Sequence, residues 1–434
     1  MTCPSGNTLS TGDGAGSSGD RPHAAPPPDR TPIDGRGPAL AAGMLSGLIV
    51  AETSDTPAAA FAAALAADFG ATVIVCEPPR HGSALRRLGP ASVQQIWWPV
   101  IARNKLSLAI DPAHADALPV LQRLAARADL LARDDCPAGA QLRKLMGAAP
   151  RAVDMHLFAT GADRPDLWPW STQPEFATAA SGMMALTGEI DGPATQPEIP
   201  LADYTAGMMA LSIALAELRL ARREGHPPAP VPMALHEALH RMNEWNTVVA
   251  VSRGAAETRN GNRFPMNANI GNIFRTRDGK LLTVSAATPS VADRLLLMIG
   301  GRELLEDPRF RTPADRRIHM DELDIVVAEW IGCHDAKEAM RLVRENDVVV
   351  GPICDVDDVL AHQHIRERGD IIRVADNAGG AFAMPAALPL SFPAAGCVRH
   401  AGPAAGADSD KVLALLDFAQ AEIAQLRRSG AIWQ

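Results

Sequence analysis

The sequence lacks the features that would place it on a membrane or a nucleic acid. No uninterrupted apolar run approaches the ~20 residues needed to span a bilayer. The N-terminus has no basic start followed by an apolar stretch, so no secretory leader is expected. Positive charge is in deficit, with 41 Lys and Arg against 50 Asp and Glu and a net charge of -9. That balance argues against a nucleic-acid surface or an anionic-lipid binder, though not against one basic pocket for a phosphorylated ligand. The expected compartment is the cytoplasm.

Ligand fingerprints are missing too. Cys3, Cys76, Cys136, Cys333, Cys354 and Cys397 are scattered, with no C-x-x-C and no His partner at zinc-ligand spacing from any of them. No metal centre is therefore expected. A chain of 434 residues needs no disulfide scaffold, so reduced thiols are expected. No G-x-G-x-x-G follows the first strand, and no Walker-type loop is present, so neither usual nucleotide inference applies. There is no internal repeat.

What is present is an ordinary globular composition, 47% hydrophobic and 21% charged. The length suggests two domains or one large interrupted domain. Residues 1–43 are Gly/Ser/Pro/Asp-rich and include Pro26-Pro27-Pro28, so a disordered extension is expected. Order begins at the apolar run Gly47–Glu52, a buried strand. Thr53–Pro57 then offers caps and a Pro for a first helical turn, leading into an Ala-rich helix over 58–69. Strands near 72–77, 107–110, 129–132 and 153–157 alternate with helices. Such β-α-β repetition reads as a parallel sheet with helices on both faces, a Rossmann-like α/β fold. Long helices are expected over 176–186 and 203–223, and a Gly/Asn/Arg-rich break over 253–269. Strands over 271–276 and 280–286, joined by Arg277-Asp278-Gly279, form a hairpin, and helices complete a small α/β domain. The implied organisation is a large domain over 44–225, linker and helix over 226–269, and a small domain over 270–347. The segment 348–434 returns to complete the large domain.

Several segments, in order, resemble the class III CoA-transferases of the CaiB/BaiF type. They are AAALAADFGATVIVCEPP at 62–79, RNKLSLAID at 103–111, ASGMMALTG at 180–188 and DYTAGMMALSIALAELRLARREG at 203–225. FRTRDGKLLTVSA at 274–286, LLEDPRFRTPADR at 304–316 and VVGPICDVDDVLAHQHIRERG at 349–369 continue the match. The resemblance implies a Rossmann-like large domain, a smaller domain and two subunits interlocked as linked rings, with the active site between them. It implies transfer of CoA between an acyl-CoA and a carboxylic acid, with no cofactor beyond CoA itself. The family's aspartate attacks the thioester, passing through mixed anhydride and aspartyl-CoA intermediates. A related branch, the α-methylacyl-CoA racemases, moves protons on the same fold.

The family's nucleophilic aspartate lies seven residues before the Ser of its Ser-Gly pair. Counting back from Ser181 lands on Pro174, which cannot attack a thioester or carry a proton. Glu175 is its carboxylate neighbour, and the residues leave two readings of it open. At a helix N-terminus it would be held as an anion, able to open a thioester or move a proton. Thr172-Gln-Pro-Glu175 also matches a capping box, a structural role. Arg103, Asn104 and Lys105 correspond to the family's CoA-contacting stretch, where cations would meet the CoA phosphates, or they form a solvated basic patch. Arg80 and Arg86 are further phosphate candidates. Asp203 reads as a helix N-cap. His156, near a strand end, is a second catalytic candidate or a satisfied core histidine. His236 and His240 are metal-spaced but expected to serve packing, and Met183-Met184 fills core or lines an acyl pocket. Three functions follow: a homodimeric CoA-transferase using Glu175, an acyl-CoA racemase pairing Glu175 with His156, or a non-catalytic CoA-binding subunit of a heteromer.

Overall fold

The computed structural model describes residues 43–136, 140–141, 143–144, 151–159, 174–263, 270–375, 380–390 and 396–433. The expected disorder of residues 1–43 lies outside them, apart from Gly43. They form two compact units. The larger takes in the described residues up to Gly188, Pro193–Thr258, and those from His364 onward.

Its sheet contains β1 (Ile49–Thr53), β2 (Thr72–Glu77), β3 (Leu106–Ile110), β4 (Leu130–Arg133), β5 (Val153–Phe158) and β6 (Val231–Ala234). These run parallel in the order β3-β2-β1-β4-β5-β6, and the strand Ile432–Trp433 adds antiparallel to β3. Every residue of β3 is buried, as helices on both faces of a parallel sheet require. Each fully buried aliphatic side chain, such as Ile74 or Leu108, contributes roughly 1.5–3 kcal/mol of burial free energy. The chain winds from β1 to β3 one way, then crosses back to β4, so the switch point lies between β1 and β4. Ligands of open α/β sheets bind at that point, outside the strand ends.

Three helices cover one face there. The first, α1 (Pro57–Asp68), starts with Pro at its first turn and is rich in Ala. A short helix, α2 (Pro174–Ala180), follows β5, and the long α3 (Leu201–Glu224) crosses α1. By length and composition α3 could cross a membrane, but half of its most apolar window is buried inside the unit. Gly207 sits at the crossing, where an added Cβ would stand 2.6 Å from the Ala58 carbonyl oxygen. Small residues here let the two backbones meet. The helix expected over 176–186 is two pieces, α2 and Met183–Leu186, because Gly182 adopts a left-handed φ of 81° between them.

The start of α1 explains the missing phosphate loop. Thr56 precedes the helix without capping it. Instead the buried Asp134 carboxylate, after β4, accepts from the Asp55 and Thr56 N–H groups at 2.9 and 2.8 Å, and from the Thr56 hydroxyl at 2.7 Å. The protein's own anion thus occupies the helix terminus that a bound phosphate takes in a dinucleotide site.

The smaller unit comprises Glu189–Gly192 and Arg259–Gln363. Strands β7 (Ile270–Arg275) and β8 (Leu281–Ala286) form the expected antiparallel hairpin, closed by a turn with Gly279 at φ 79°. The strand β9 (Val349–Pro352) pairs with β8 as the third member of this sheet. That differs from the expectation that 348 begins the return: the apolar β9 completes the small core, and the chain leaves the unit after Gln363. Helices from Pro289 to Glu345 pack Leu295, Leu323, Val327 and Val343 against the sheet.

Candidate functional site

In the larger unit a cleft of about 450 Å³ opens where α1, α2 and α3 begin. Asp55, Thr56 and Pro57 line it from α1, Glu175 and Thr178 from α2, and Leu201, Ala202 and Asp203 from α3. Trp97, the Leu88-Gly89 turn and the stretch 196–200 close the remaining walls. The Trp97 side chain hydrogen-bonds Tyr204, whose ring stacks on Phe61 at 4.2 Å. An aromatic cluster around Trp97 therefore adjoins a cleft lined by the carboxyl groups of Asp55, Glu198, Glu175 and Asp203, of which the last two lie on α2 and α3.

The Glu175 and Asp203 carboxyls differ in setting. Glu175 is exposed, in the first turn of α2. Asp203 is 7% exposed, and its Oδ1 has no hydrogen-bond partner. Burial pushes the Asp203 carboxyl up to about 6; its own N–H draws it down, the Glu175 charge adds to the rise, and the Ala58 N–H draws it down further. Asp203 is not the N-cap expected from the sequence, since Pro200 holds that place and Asp203 falls within the first turn. The buried face of α3 runs through Asp203, Gly207, Ala210 and Ala214. That i, i+4, i+7, i+11 spacing was the sequence signal for its burial. The proposed capping partner of Glu175, Thr172, lies outside the described residues.

The Arg-Asn-Lys segment makes contacts inside the protein. Arg103 Nε lies 3.1 Å from each Asp68 oxygen, its Nη2 2.5 Å from one, and its Nη1 2.8 Å from the Pro385 carbonyl. Asn104 donates to Asp68 and to the Cys397 carbonyl, both at 2.8 Å, and its oxygen accepts from the Arg399 N–H at 2.6 Å. Lys105 is fully buried; its ammonium lies 2.7 Å from Glu52 and donates to the Ala60 carbonyl at 2.8 Å. Burial lowers Lys105, and the adjacent Glu52 carboxylate opposes that.

Arg86 is held likewise. Its Nε and Nη2 bond Glu77 at 2.8 and 2.6 Å, its Nη1 bonds the Pro403 carbonyl at 3.1 Å, and it stacks on Trp98. Arg80 differs: it is exposed, at a left-handed φ of 67°, with its guanidinium 4.8 Å from the Trp433 ring. His156 bonds Asp135 at 2.5 Å and is not among the residues lining the cleft. The structure thus brings Asp203, not His156, into the cleft with Glu175.

His236 and His240 share the helix Leu235–Met242, and among the described residues no three His, Cys, Asp or Glu side chains gather as a metal site. Cys76, Cys354 and Cys397 are free thiols, and burial pushes Cys76 up to about 12, away from reactivity at neutral pH. Cys333 is disulfide-bonded, against the expectation of reduced thiols throughout.

Comparison with known proteins sets this geometry in a family. Residues 45–409 match the model of CoA-transferase family III. A succinyl-CoA–D-citramalate CoA-transferase of Chloroflexus aurantiacus is 29% identical over 383 residues, covering 86% of this chain and 94% of that protein. The beta subunit of a succinyl-CoA–L-malate CoA-transferase from the same organism is 26% identical, covering 89% of this chain and 98% of its own. An acetyl-CoA:oxalate CoA-transferase of Acetobacter aceti is 26% identical over 75% of this chain and 84% of that protein. The fold matches a crystal structure of a CaiB/BaiF family protein from Brucella suis, with a TM-score of 0.73 and 22% identity, over 87% of this chain and 100% of that one. The chain belongs to CoA-transferase family III.

Proposed function

We propose that this protein transfers CoA from an acyl-CoA to a carboxylic acid, with Glu175 in the role that the family gives to an aspartate one residue earlier. The observation that carries this is the exposed Glu175 carboxylate facing a cleft beside a buried second carboxyl. Near the positive end of a helix dipole an ionised carboxylate is stabilised, and a carboxylate can open a thioester covalently. Relatives named for succinyl-CoA and acetyl-CoA transfer support acyl-CoA and carboxylate substrates. Of the cations suggested by the sequence, Arg80 would meet a CoA phosphate, a reading its exposure supports, while Arg86, Arg103 and Lys105 hold internal carboxylates. The working form is a cytoplasmic dimer, with itself or with a homologous subunit; relatives named as alpha and beta subunits support the second arrangement.

The test is to incubate the protein with succinyl-CoA or acetyl-CoA, quench, and map adducts by peptide mass spectrometry. A CoA or acyl adduct on Glu175, absent from Glu175→Gln, is the expected result. No adduct with either donor, alone or with a homologous partner subunit, removes Glu175 from the chemistry. A racemase reading has a weaker basis here, because the His156 it would use is bonded to Asp135. Deuterium incorporation at the acyl α-carbon in heavy water would favour it.

A further inference from the structure

We propose that Asp203 is the proton-carrying residue of the transfer, lending its proton to the CoA sulfur as the thioester opens and taking it back as the thiol returns. This rests on the reading of Glu175 as nucleophile. The geometry is a carboxyl more than nine-tenths buried, with an unpartnered Oδ1, lining the same cleft as Glu175. An ionised carboxylate with one buried oxygen left unpaired is costly, whereas the protonated form needs only a hydrogen-bond acceptor there. The charged groups facing it favour the proton. Glu175 lies across the cleft, Asp134 caps α1, and Asp55 and Glu198 line the walls, all acidic. The upward displacement of the Asp203 carboxyl agrees with that setting.

The steps balance. A Glu175 oxygen attacks the thioester carbon, the C–S bond breaks, and the sulfur takes its electron pair together with the Asp203 proton. The thiol then attacks the Glu175 carbonyl carbon of the resulting anhydride, returning its proton to Asp203 and releasing the first carboxylate. The acceptor carboxylate attacks this glutamyl-CoA, and the same exchange runs in reverse order. At the end Glu175 is an ionised carboxylate and Asp203 carries its proton again.

The experiment is single-turnover acylation of Glu175 in the full-length protein, read by quenched-flow mass spectrometry, for wild type and Asp203→Asn. Two donors are used: succinyl-CoA, and the succinyl thioester of an aryl thiol, whose thiolate leaves without a proton. With succinyl-CoA the variant is expected to be slower by about 10²–10⁴-fold, the range for general acid–base catalysis. With the aryl thioester the two proteins are expected to react at equal rates, a rescue that a misfolded or misplaced cleft would not show. Equal rates with succinyl-CoA, or equal slowing with both donors, overturn the proposal while leaving Glu175 as nucleophile. A wild-type protein that never labels on Glu175 removes both. Should the variant fail to fold, the wild-type pH profile decides: the acylation rate falls on the alkaline side of the Asp203 titration. A rate that only rises from about pH 5 to 8 overturns the proposal.

Discussion

Asn104 and Arg399, 295 positions apart, are joined by a 2.6 Å hydrogen bond from the Arg399 N–H to the Asn104 side-chain oxygen. The same amide donates to Asp68 and to the Cys397 carbonyl, so one side chain clips the C-terminal segment to the end of α1. Asn104 adopts a left-handed φ of 64°, which Asn tolerates better than most residues. Asn104→Gly keeps the backbone relaxed and loses only the hydrogen bonds, an expected loss of about 1–3 kcal/mol. Asn104→Ala adds backbone strain and is expected to be worse. Hydrogen exchange of the 396–400 backbone checks this: unchanged protection in both variants would show that the clip holds nothing.

Lys105 and Glu52 are both 1% exposed and lie 2.7 Å apart. Removing one charge strands the other, so Lys105→Met is expected to destabilise by about 3–5 kcal/mol near neutral pH. Burial already raises Glu52, and without Lys105 it rises further, so the loss shrinks as acid protonates the stranded carboxyl. The double variant Glu52→Gln with Lys105→Met is expected to recover much of the stability. Denaturant titrations of the four proteins complete a double-mutant cycle; an additive double variant would show that the pair is uncoupled.

These pairs mark where sequence reading stopped. The β-α alternation, the 277–279 turn and the Arg-Asn-Lys segment were legible because each is set by local chemistry or a local pattern. The partners of the cations were not. Asp68 is 35 positions before Arg103, and the Pro403 carbonyl is 317 positions after Arg86. Read alone, Arg-Asn-Lys suggests a phosphate contact; folded, its side chains bond Asp68 and Glu52. The cleft was half legible: Glu175 stood out beside Pro174, while Asp203 looked like a cap. Its burial depends on Gly207, four residues on, bringing α3 against α1.

That crossing gives a third prediction. A Cβ at Gly207 would stand 2.6 Å from the Ala58 carbonyl oxygen and 3.3 Å from the Ala62 nitrogen. Backbone cannot yield as a side-chain tip does, so Gly207→Ala is expected to cost about 1–3 kcal/mol by overpacking. The helices must separate, and Asp203, one turn away, moves with α3 relative to the Ala58 N–H. Thermal denaturation of Gly207→Ala checks the stability. An unchanged midpoint would mean that the helices part without penalty.

The Asp203 carboxyl yields the prediction with the clearest sign. Its folded value of about 6 stands above the ordinary 3.8. Below pH ~4 both folded and unfolded chains keep the proton, and its stabilising effect is fully present. Between about 4 and 6 the unfolded chain releases the proton while the folded chain retains it, so stability falls as pH rises. Above about 6 both are ionised and the loss is complete, up to about 3 kcal/mol at 1.36 kcal/mol per pH unit. Asp203→Asn has no proton to lose, so relative to wild type it should gain stability between pH 4.5 and 7.5. Denaturant titrations of both proteins at those two pH values measure the difference. A gap between wild type and variant that stays the same at both would mean that the buried carboxyl titrates normally. With transfer slowed and stability raised in one variant, the residue would serve the chemistry at the expense of the fold, as buried groups at working sites often do.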